Sequence, residues 1–196
     1  SNAIWQIHSD FLIFQKFRLS ANFLIDELVL DPEKQIGKGN GYAYSFKVVY
    51  PLIGNLSRGF TVNIAHTKVG TPTFRHGNGF NNFVHSDMPL GHRLGSDFSE
   101  TMYGLNYSNK KTFILSFFSS LSSMGQESII FRPFDAYKDY QKSNFPSGKI
   151  ISLVKSSIST KYIPFEKVLS EIKVDREIIN EDITYNFIFT INYLFD

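Results

Sequence analysis

Three histidines and two aspartates fall in one segment rich in glycine and asparagine: His76, His85, Asp87, His92 and Asp97. Imidazole and carboxylate groups are ligands for zinc and other transition metals, so a metal site is one interpretation. The spacing matches no compact metal motif, and His85 and His92 are too far apart to form a helical pair. These residue types therefore favour packing and hydrogen bonding within a loop, and no metal or cofactor is predicted.

Motifs for covalent or acid–base catalysis are missing from the sequence. No Gly-x-Ser-x-Gly turn presents a serine, and the chain has no cysteine, which excludes thiol catalysis, cysteine-bound metals and disulfides. The carboxylates of Asp26, Glu27, Glu171 and Asp175 could flank a glycosidic bond as an acid and a base, but the sequence gives no separation between them. We therefore predict that the chain is not an enzyme.

Aromatic, amide and guanidinium side chains are concentrated in two segments, around residues 69–97 and 125–150. Aromatic rings can stack on the apolar faces of sugars, while amides and arginines bind hydroxyl and carboxylate groups. The residues predicted to bind a ligand are Phe74, Arg75, His76, Asn82, Phe83, His85, His92, Arg93, Arg132 and Tyr137. The alternative is that these rings fill the interior of the loops.

Alternation of apolar and polar residues with a period of two predicts about eight β-strands. The predicted strands are 17–26, 42–50, 60–65, 101–107, 112–117, 170–175 and 183–195, with a further one at 10–15. Val69 to Asp97 and residues 125–150 interrupt the alternation and are predicted to be long loops. Short turns at one end of a sheet and long loops at the other are the plan of outer-membrane β-barrels.

The last predicted strand shows the alternation most clearly. Tyr185, Phe187 and Phe189 fall on one face, and Asn186 and Thr190 fall on the other. A soluble sheet that buries one face has this pattern, and so does a transmembrane barrel with apolar residues facing lipid and polar residues facing a wet lumen. The two interpretations both stay open on the alternation alone.

Composition supports one folded, all-β domain. Apolar residues make up 42% of the chain and charged residues 19%, which excludes a disordered chain, and the 20 Phe and 10 Tyr favour pleated sheet. The net charge of +2 comes without a run of Lys or Arg, so nucleic acid is not a predicted partner. Residues 1–3 (Ser-Asn-Ala) resemble the scar of tag cleavage, which leaves residues 4–196 as a single domain.

The segment from Phe74 to Glu100 resembles a bacterial outer-membrane family, the Wzi-like capsule assembly proteins and the related RemB-like gliding-motility proteins of Bacteroidetes. The matching runs are Phe74-Arg75-His76, Asn82-Phe83-Val84-His85, Pro89-Leu90-Gly91-His92-Arg93-Leu94-Gly95 and Asp97-Phe98-Ser99-Glu100. The chain departs from the family pattern at residues 86–88, and at Arg93, where proline is commoner.

The resemblance implies the C-terminal part of an outer-membrane β-barrel at the bacterial cell surface. Its implied partners are surface polysaccharide, outer-membrane lipid and other envelope proteins. We thus expect an all-β, antiparallel meander of about eight strands, either a β-barrel or a strongly curled sheet with two long loops. The alternative function is a soluble β-barrel or sandwich that binds a carbohydrate or a small apolar ligand, and a truncated barrel that refolds as a strand-exchanged dimer is a third possibility.

Overall fold

The computed structural model describes residues 4–14, 16–28, 39–54, 58–76, 78–109, 112–135, 145–165 and 168–193. Nine long strands form one sheet: β1 (Trp5–Ile13), β2 (Phe17–Glu27), β3 (Gly41–Gly54), β4 (Gly59–Val69), β7 (Phe98–Ser108), β8 (Phe113–Met124), β9 (Ile151–Phe165), β10 (Val168–Ile179) and β11 (Asp182–Tyr193). A 3-10 turn (Gly79–Asn81) and a small hairpin, β5 (Val84–His85) with β6 (Met88–Pro89), lie between β4 and β7. No helix in these ranges is long and apolar enough to cross a membrane.

The sheet is an antiparallel meander, because each long strand pairs with the long strands that precede and follow it in the chain. The predicted all-β meander is therefore confirmed, with nine strands in place of about eight. The described residues form an open sheet and not a closed barrel, since β1 and β11 are its two edges.

Strand β9 was not predicted from the sequence. Its pattern is blurred because serine occurs on both faces: Ser152 and Ser156 share one face with Val154, while Ser157 shares the other with Leu153. Serines also remove the alternation from the second half of β8. This strand continues to Met124, well beyond the predicted end at residue 117. A period-two pattern is visible in a sequence only where the two faces differ in polarity.

The register gives the sheet two faces of opposite character. We call one the apolar face; its exposed residues include Trp5, Ile7, Phe11, Phe23, Phe46, Ile64, Tyr103, Phe117, Ile158, Ile172, Phe187 and Phe189. The opposite, polar face carries His8, Asn22, Ser45, Lys47, Asn63, Asn106, Ser116, Ser157, Lys173 and Asn186. Among the strand side chains that the structure describes, only Lys68 and Arg176 put a full charge on the apolar face.

A small hydrophobic core lies on the polar face, at the end of the sheet where the two long loops connect the strands. The strands contribute Ala43, Val69, Phe98, Met124 and Leu153, and the loops contribute Phe74, Leu94 and Ile129. We call the described loop residues 70–76, 78–97, 125–135 and 145–150 the loop cap. The predicted long loops are thus folded back onto the sheet, which leaves the apolar face uncovered within the described chain.

Candidate functional site

Asp97 joins the two halves of the loop cap. Its buried carboxylate accepts hydrogen bonds from Thr71 Oγ1 at 2.7 Å and from the backbone N–H of Ser147 at 3.1 Å, and a further one from Ser147 Oγ. Its backbone C=O also accepts the N–H of Gly125 at 2.8 Å. Asp97 has a φ of 58°, a left-handed conformation that aspartate tolerates better than most residues. Asp97, considered above as a metal ligand, therefore connects the two loops of the cap by buried hydrogen bonds.

Arg75 and Asn82, two of the predicted ligand-binding residues, also lie inside the cap. Arg75 is 2% exposed and donates to Glu127 Oε2 at 3.1 Å and to the backbone C=O of Asp135 at 3.2 Å. The Asn82 amide donates to the C=O groups of Pro133 and Asp135 at 3.1 and 3.0 Å. Both side chains use their hydrogen-bonding groups to connect the first loop to the second.

The other predicted residues are divided between the interior and the surface of the cap. Phe74 is buried and stacks on Phe83 with ring centroids 5.6 Å apart. His76 is half-buried and accepts the N–H of Asn78 at its Nδ1, at 3.0 Å. His85 is exposed, and Arg132 is half-exposed and pairs with Glu127 at 3.2 Å. Tyr137 lies outside the described residues. The exposed Phe83, His85 and Arg93 and the half-exposed Arg132 are the ones that a large external ligand could reach.

His92 and Arg93 lie over a buried glutamate that reasoning from the sequence did not select. Glu100, on β7, is 1% exposed; its Oε1 accepts from Ser122 Oγ at 2.9 Å and also from the Arg93 guanidinium. Its Oε2 has no hydrogen-bond partner among the described residues and lies 3.9 Å from Nε2 of His92. The His92 ring stacks on Phe98, with centroids 4.5 Å apart. An ionisable group and an unsatisfied carboxylate oxygen thus lie side by side where the cap contacts the sheet.

Acidification is expected to loosen the segment around His92. Burial lowers the pKa of His92 below the ordinary histidine value of about 6.5, although the nearby Glu100 acts against this shift. A lowered pKa means that the folded cap favours the neutral His92 ring. The stability that the neutral ring contributes is therefore present above a pH of about 6.5 and is lost as the pH falls through the pKa of His92 in the folded state. Hydrogen exchange of residues 90–95, corrected for intrinsic rates, should become faster from about pH 7 to about pH 5. His92→Gln should remove this pH dependence, and an unchanged pH profile in that variant would contradict the assignment to His92.

A row of polar side chains crosses the polar face below the cap. Successive register partners from β1 to β8 form this polar row: His8, Asn22, Ser45, Thr67, Glu100 and Ser122. The first three members of the row are connected, since His8 Nδ1 is 2.7 Å from Asn22 Oδ1 and Asn22 Nδ2 donates to Ser45 Oγ at 3.2 Å. Strand register therefore gathers hydrogen-bonding groups from distant parts of the sequence.

A cleft opens between this row and the segment that carries His92. Its volume is about 150 Å³, and its lining combines polar with apolar residues: Gln6, Asn22, Leu24, Ala43, Tyr44, Ser45, Thr67, Val69, Phe74, Gly91 and His92. Of the predicted site residues, the structure brings Phe74 and His92 to this cleft. The sequence analysis missed four polar residues of this lining: Gln6, Asn22, Ser45 and Thr67. Alternation within a strand assigns each residue to a face of the sheet, but it does not give the register that places residues of neighbouring strands side by side.

The side chains considered for metal binding do not converge. No group of three or more His, Cys, Asp or Glu side chains within the described ranges is placed to hold a metal ion. Comparison with known proteins gave no relative: no protein-family model, no curated protein and no solved structure matches this chain. Membership of the Wzi-like family therefore stays a prediction that rests on the segment from Phe74 to Glu100.

Proposed function

We propose that this chain is part of the wall of a bacterial outer-membrane β-barrel, that it is not an enzyme, and that it associates at the cell surface with polysaccharide. The observation that carries the proposal is the exposed apolar face. Trp5, Phe187 and Phe189 expose 74%, 76% and 67% of their surface. Contiguous exposed apolar surface on this scale marks contact with a membrane or a partner.

The positions of charged residues on the apolar face favour lipid as the contacting medium. Lys68 and Arg176 both lie towards the end of the sheet that carries the long loops: Lys68 is next to the end of β4, and Arg176 pairs with Ser156 near the start of β9. The Lys68 ammonium lies 4.0 Å from the centre of the Phe145 ring. Long cationic side chains near a membrane interface can extend their charged ends into water. The rest of the face, towards the short turns, is free of charge among the described side chains.

The polar face has the composition of a hydrated interior. Three ion pairs follow β9 and β10: Lys155 with Glu177 at 3.3 Å, Lys161 with Glu171 at 3.4 Å, and Lys173 with Asp175 at 2.8 Å. Most of these side chains keep part of their surface accessible, so water can solvate the charges. In an outer-membrane barrel, polar residues of this kind line the interior.

The loop cap supports the surface-polysaccharide part of the proposal. Long loops of outer-membrane barrels face outward, and here both long loops lie at the same end of the sheet. The exposed side chains Phe80, Phe83 and His85 and the half-exposed Arg132 give the cap aromatic and cationic groups of the kind that bind glycans. Most of the segment that resembles the capsule-assembly family lies in this cap, and its last three residues begin β7.

The soluble alternative requires something to cover the apolar face. A lipocalin-like binding module would bury Phe187 and Phe189 in a core, and no described residue of this chain packs over them. A soluble state would therefore need a second sheet, a second copy or another protein. This makes the environment of the apolar face the property to measure.

The single tryptophan of the chain, Trp5, offers a direct test. In vesicles whose lipids are brominated close to the headgroup, the fluorescence of Trp5 is expected to be strongly quenched, because its exposed indole lies on the apolar face. In a Trp5→Phe background, Phe189→Trp should also be quenched by brominated lipid. Thr190→Trp, its neighbour on the polar face, should respond instead to aqueous iodide. Equal protection of both new tryptophans from lipid bromine would contradict the proposal.

A further inference from the structure

We infer that the cleft between the polar row and the His92 segment is a binding site for one ring of a hydroxyl-rich ligand, a pyranose sugar. The inference deepens the proposed function and rests on it, because it gives the proposed polysaccharide contact a position on the polar face. It differs from the surface of the loop cap in position, since the cleft lies below the cap on strands β1 to β4.

The polar lining of the cleft is uncharged apart from His92, whose pKa is lowered by burial. Gln6 Nε2 donates to Asn22 Oδ1 at 3.3 Å, and Asn22 Nδ2 donates to Ser45 Oγ at 3.2 Å. Amides and hydroxyls each combine donor and acceptor capacity, and these groups keep some of that capacity for a ligand. Neutral groups of mixed polarity suit hydroxyls better than they suit a phosphate, a carboxylate or a metal ion.

The apolar lining complements the other side of a sugar ring. Leu24, Ala43 and Val69 contribute hydrocarbon surface next to the polar row, and Gly91 leaves the approach from the cap without a side chain. A Cβ at Gly91 would lie 2.5 Å from atoms of the Phe74 ring, so these two parts of the cap can pack this closely beside the cleft only with glycine at that position. A pyranose has both C–H surface and hydroxyls, which matches a cleft with one apolar wall and one polar wall.

Glu100 supplies the second observation that points to a ligand. Its Oε2 is fully buried without a hydrogen-bond donor among the described residues, and it lies beside His92 and opposite Thr67 in the register. An unsatisfied buried carboxylate oxygen carries a cost in free energy. Glu100 itself does not line the cleft, but Thr67 and His92, its two neighbours, do. We expect a ligand hydroxyl bound between them to supply the missing donor after a small side-chain movement.

The volume of the cleft limits the size of the ligand. About 150 Å³ is well below the space that a drug-sized molecule needs, so a single ring is held and the rest of a chain must leave along the open side. Gln6, which lines the cleft, and His8 are exposed on the edge strand β1, and no further strand of the described residues covers that edge. The site would therefore hold one residue of a longer glycan, or its end.

Saturation-transfer NMR on the full chain in detergent micelles tests the site. The probes are D-glucose, N-acetyl-D-glucosamine and D-galactose, measured separately. We expect saturation transfer to at least one of these sugars. Asn22→Leu keeps the side-chain volume and removes the hydrogen bonds that Asn22 makes in the polar row, so the affinity for that sugar should fall about tenfold. Ser159→Ala is the matched control, since Ser159 lies on the same face but on β9, far from the cleft. Circular dichroism should show unchanged sheet content in both variants.

Failure of this inference is distinguishable from failure of the proposed function. Absence of transfer to all three sugars, or equal weakening by Asn22→Leu and Ser159→Ala, would overturn the cleft as a sugar site. Trp5 quenching by a brominated detergent, measured on the same samples, reports separately on the apolar face. Quenching without sugar binding would leave the membrane proposal standing, and sugar binding without quenching would contradict the membrane proposal alone.

Discussion

Replacing Phe187 by arginine is expected to destabilise the chain folded in a lipid bilayer by about 2–4 kcal/mol. Phe187 lies near the middle of β11 on the apolar face and is 76% exposed. In a bilayer, the new charge would have to leave water for hydrocarbon, at a cost that is largest at the midplane. Reversible urea unfolding in phosphatidylcholine vesicles, followed by far-UV circular dichroism, measures the change.

Asn186→Arg is the matched control for this substitution. Asn186 is the preceding residue on the same strand, lies on the polar face, and pairs in register with Asp175 on β10. The same new side chain therefore faces a hydrated surface and an acidic neighbour, and a change within about 1 kcal/mol is expected. In a soluble domain whose apolar face is bare, Phe187→Arg would instead be neutral or would improve solubility. Similar effects of the two variants would show that the faces do not meet different media.

The sequence was informative about faces because a face is a local property. Side chains two positions apart share a face, so Phe187 and Phe189 could be placed together, and Asn186 opposite them, without knowing any partner strand. The same reasoning failed for β9, where serines on both faces remove the contrast. Strand number was therefore underestimated by one, while the antiparallel meander was correct.

The candidate site depends on long-range pairing, which residue types do not specify. The sequence analysis recognised a cluster of histidine, arginine and aromatic residues between Phe74 and Arg93. Its buried members, such as Phe74 and Arg75, contact other residues of the cap. Arg75, for example, donates to the backbone C=O of Asp135, a residue far along the chain that the sequence around Arg75 does not indicate. The cleft itself combines Asn22, Ser45 and Thr67 through the register of three strands, and nothing in a single strand selects those positions.

Replacing Asp97 by alanine is expected to open the loop cap and to leave the sheet intact. The substitution removes the shared acceptor of Thr71 Oγ1 and of the Ser147 backbone and hydroxyl, all of them buried. Buried donors left without an acceptor cost about 1–3 kcal/mol each, and alanine tolerates the left-handed backbone at this position less well than aspartate does. Local opening of the cap should therefore become easier by about 2–4 kcal/mol.

Hydrogen exchange followed by mass spectrometry separates this local effect from global unfolding. Exchange at residues 125–130 and 145–150 should accelerate strongly in Asp97→Ala, while peptides from β10 and β11 keep their protection, because these strands make no contact with the Asp97 carboxylate. Asp97→Asn keeps one acceptor oxygen and the tolerance of positive φ, so its effect should be smaller. If the loss of a charge were what mattered, the two variants would behave alike. Because the cap also forms one wall of the cleft, the larger opening in Asp97→Ala should weaken sugar binding as well, although residue 97 does not line the cleft.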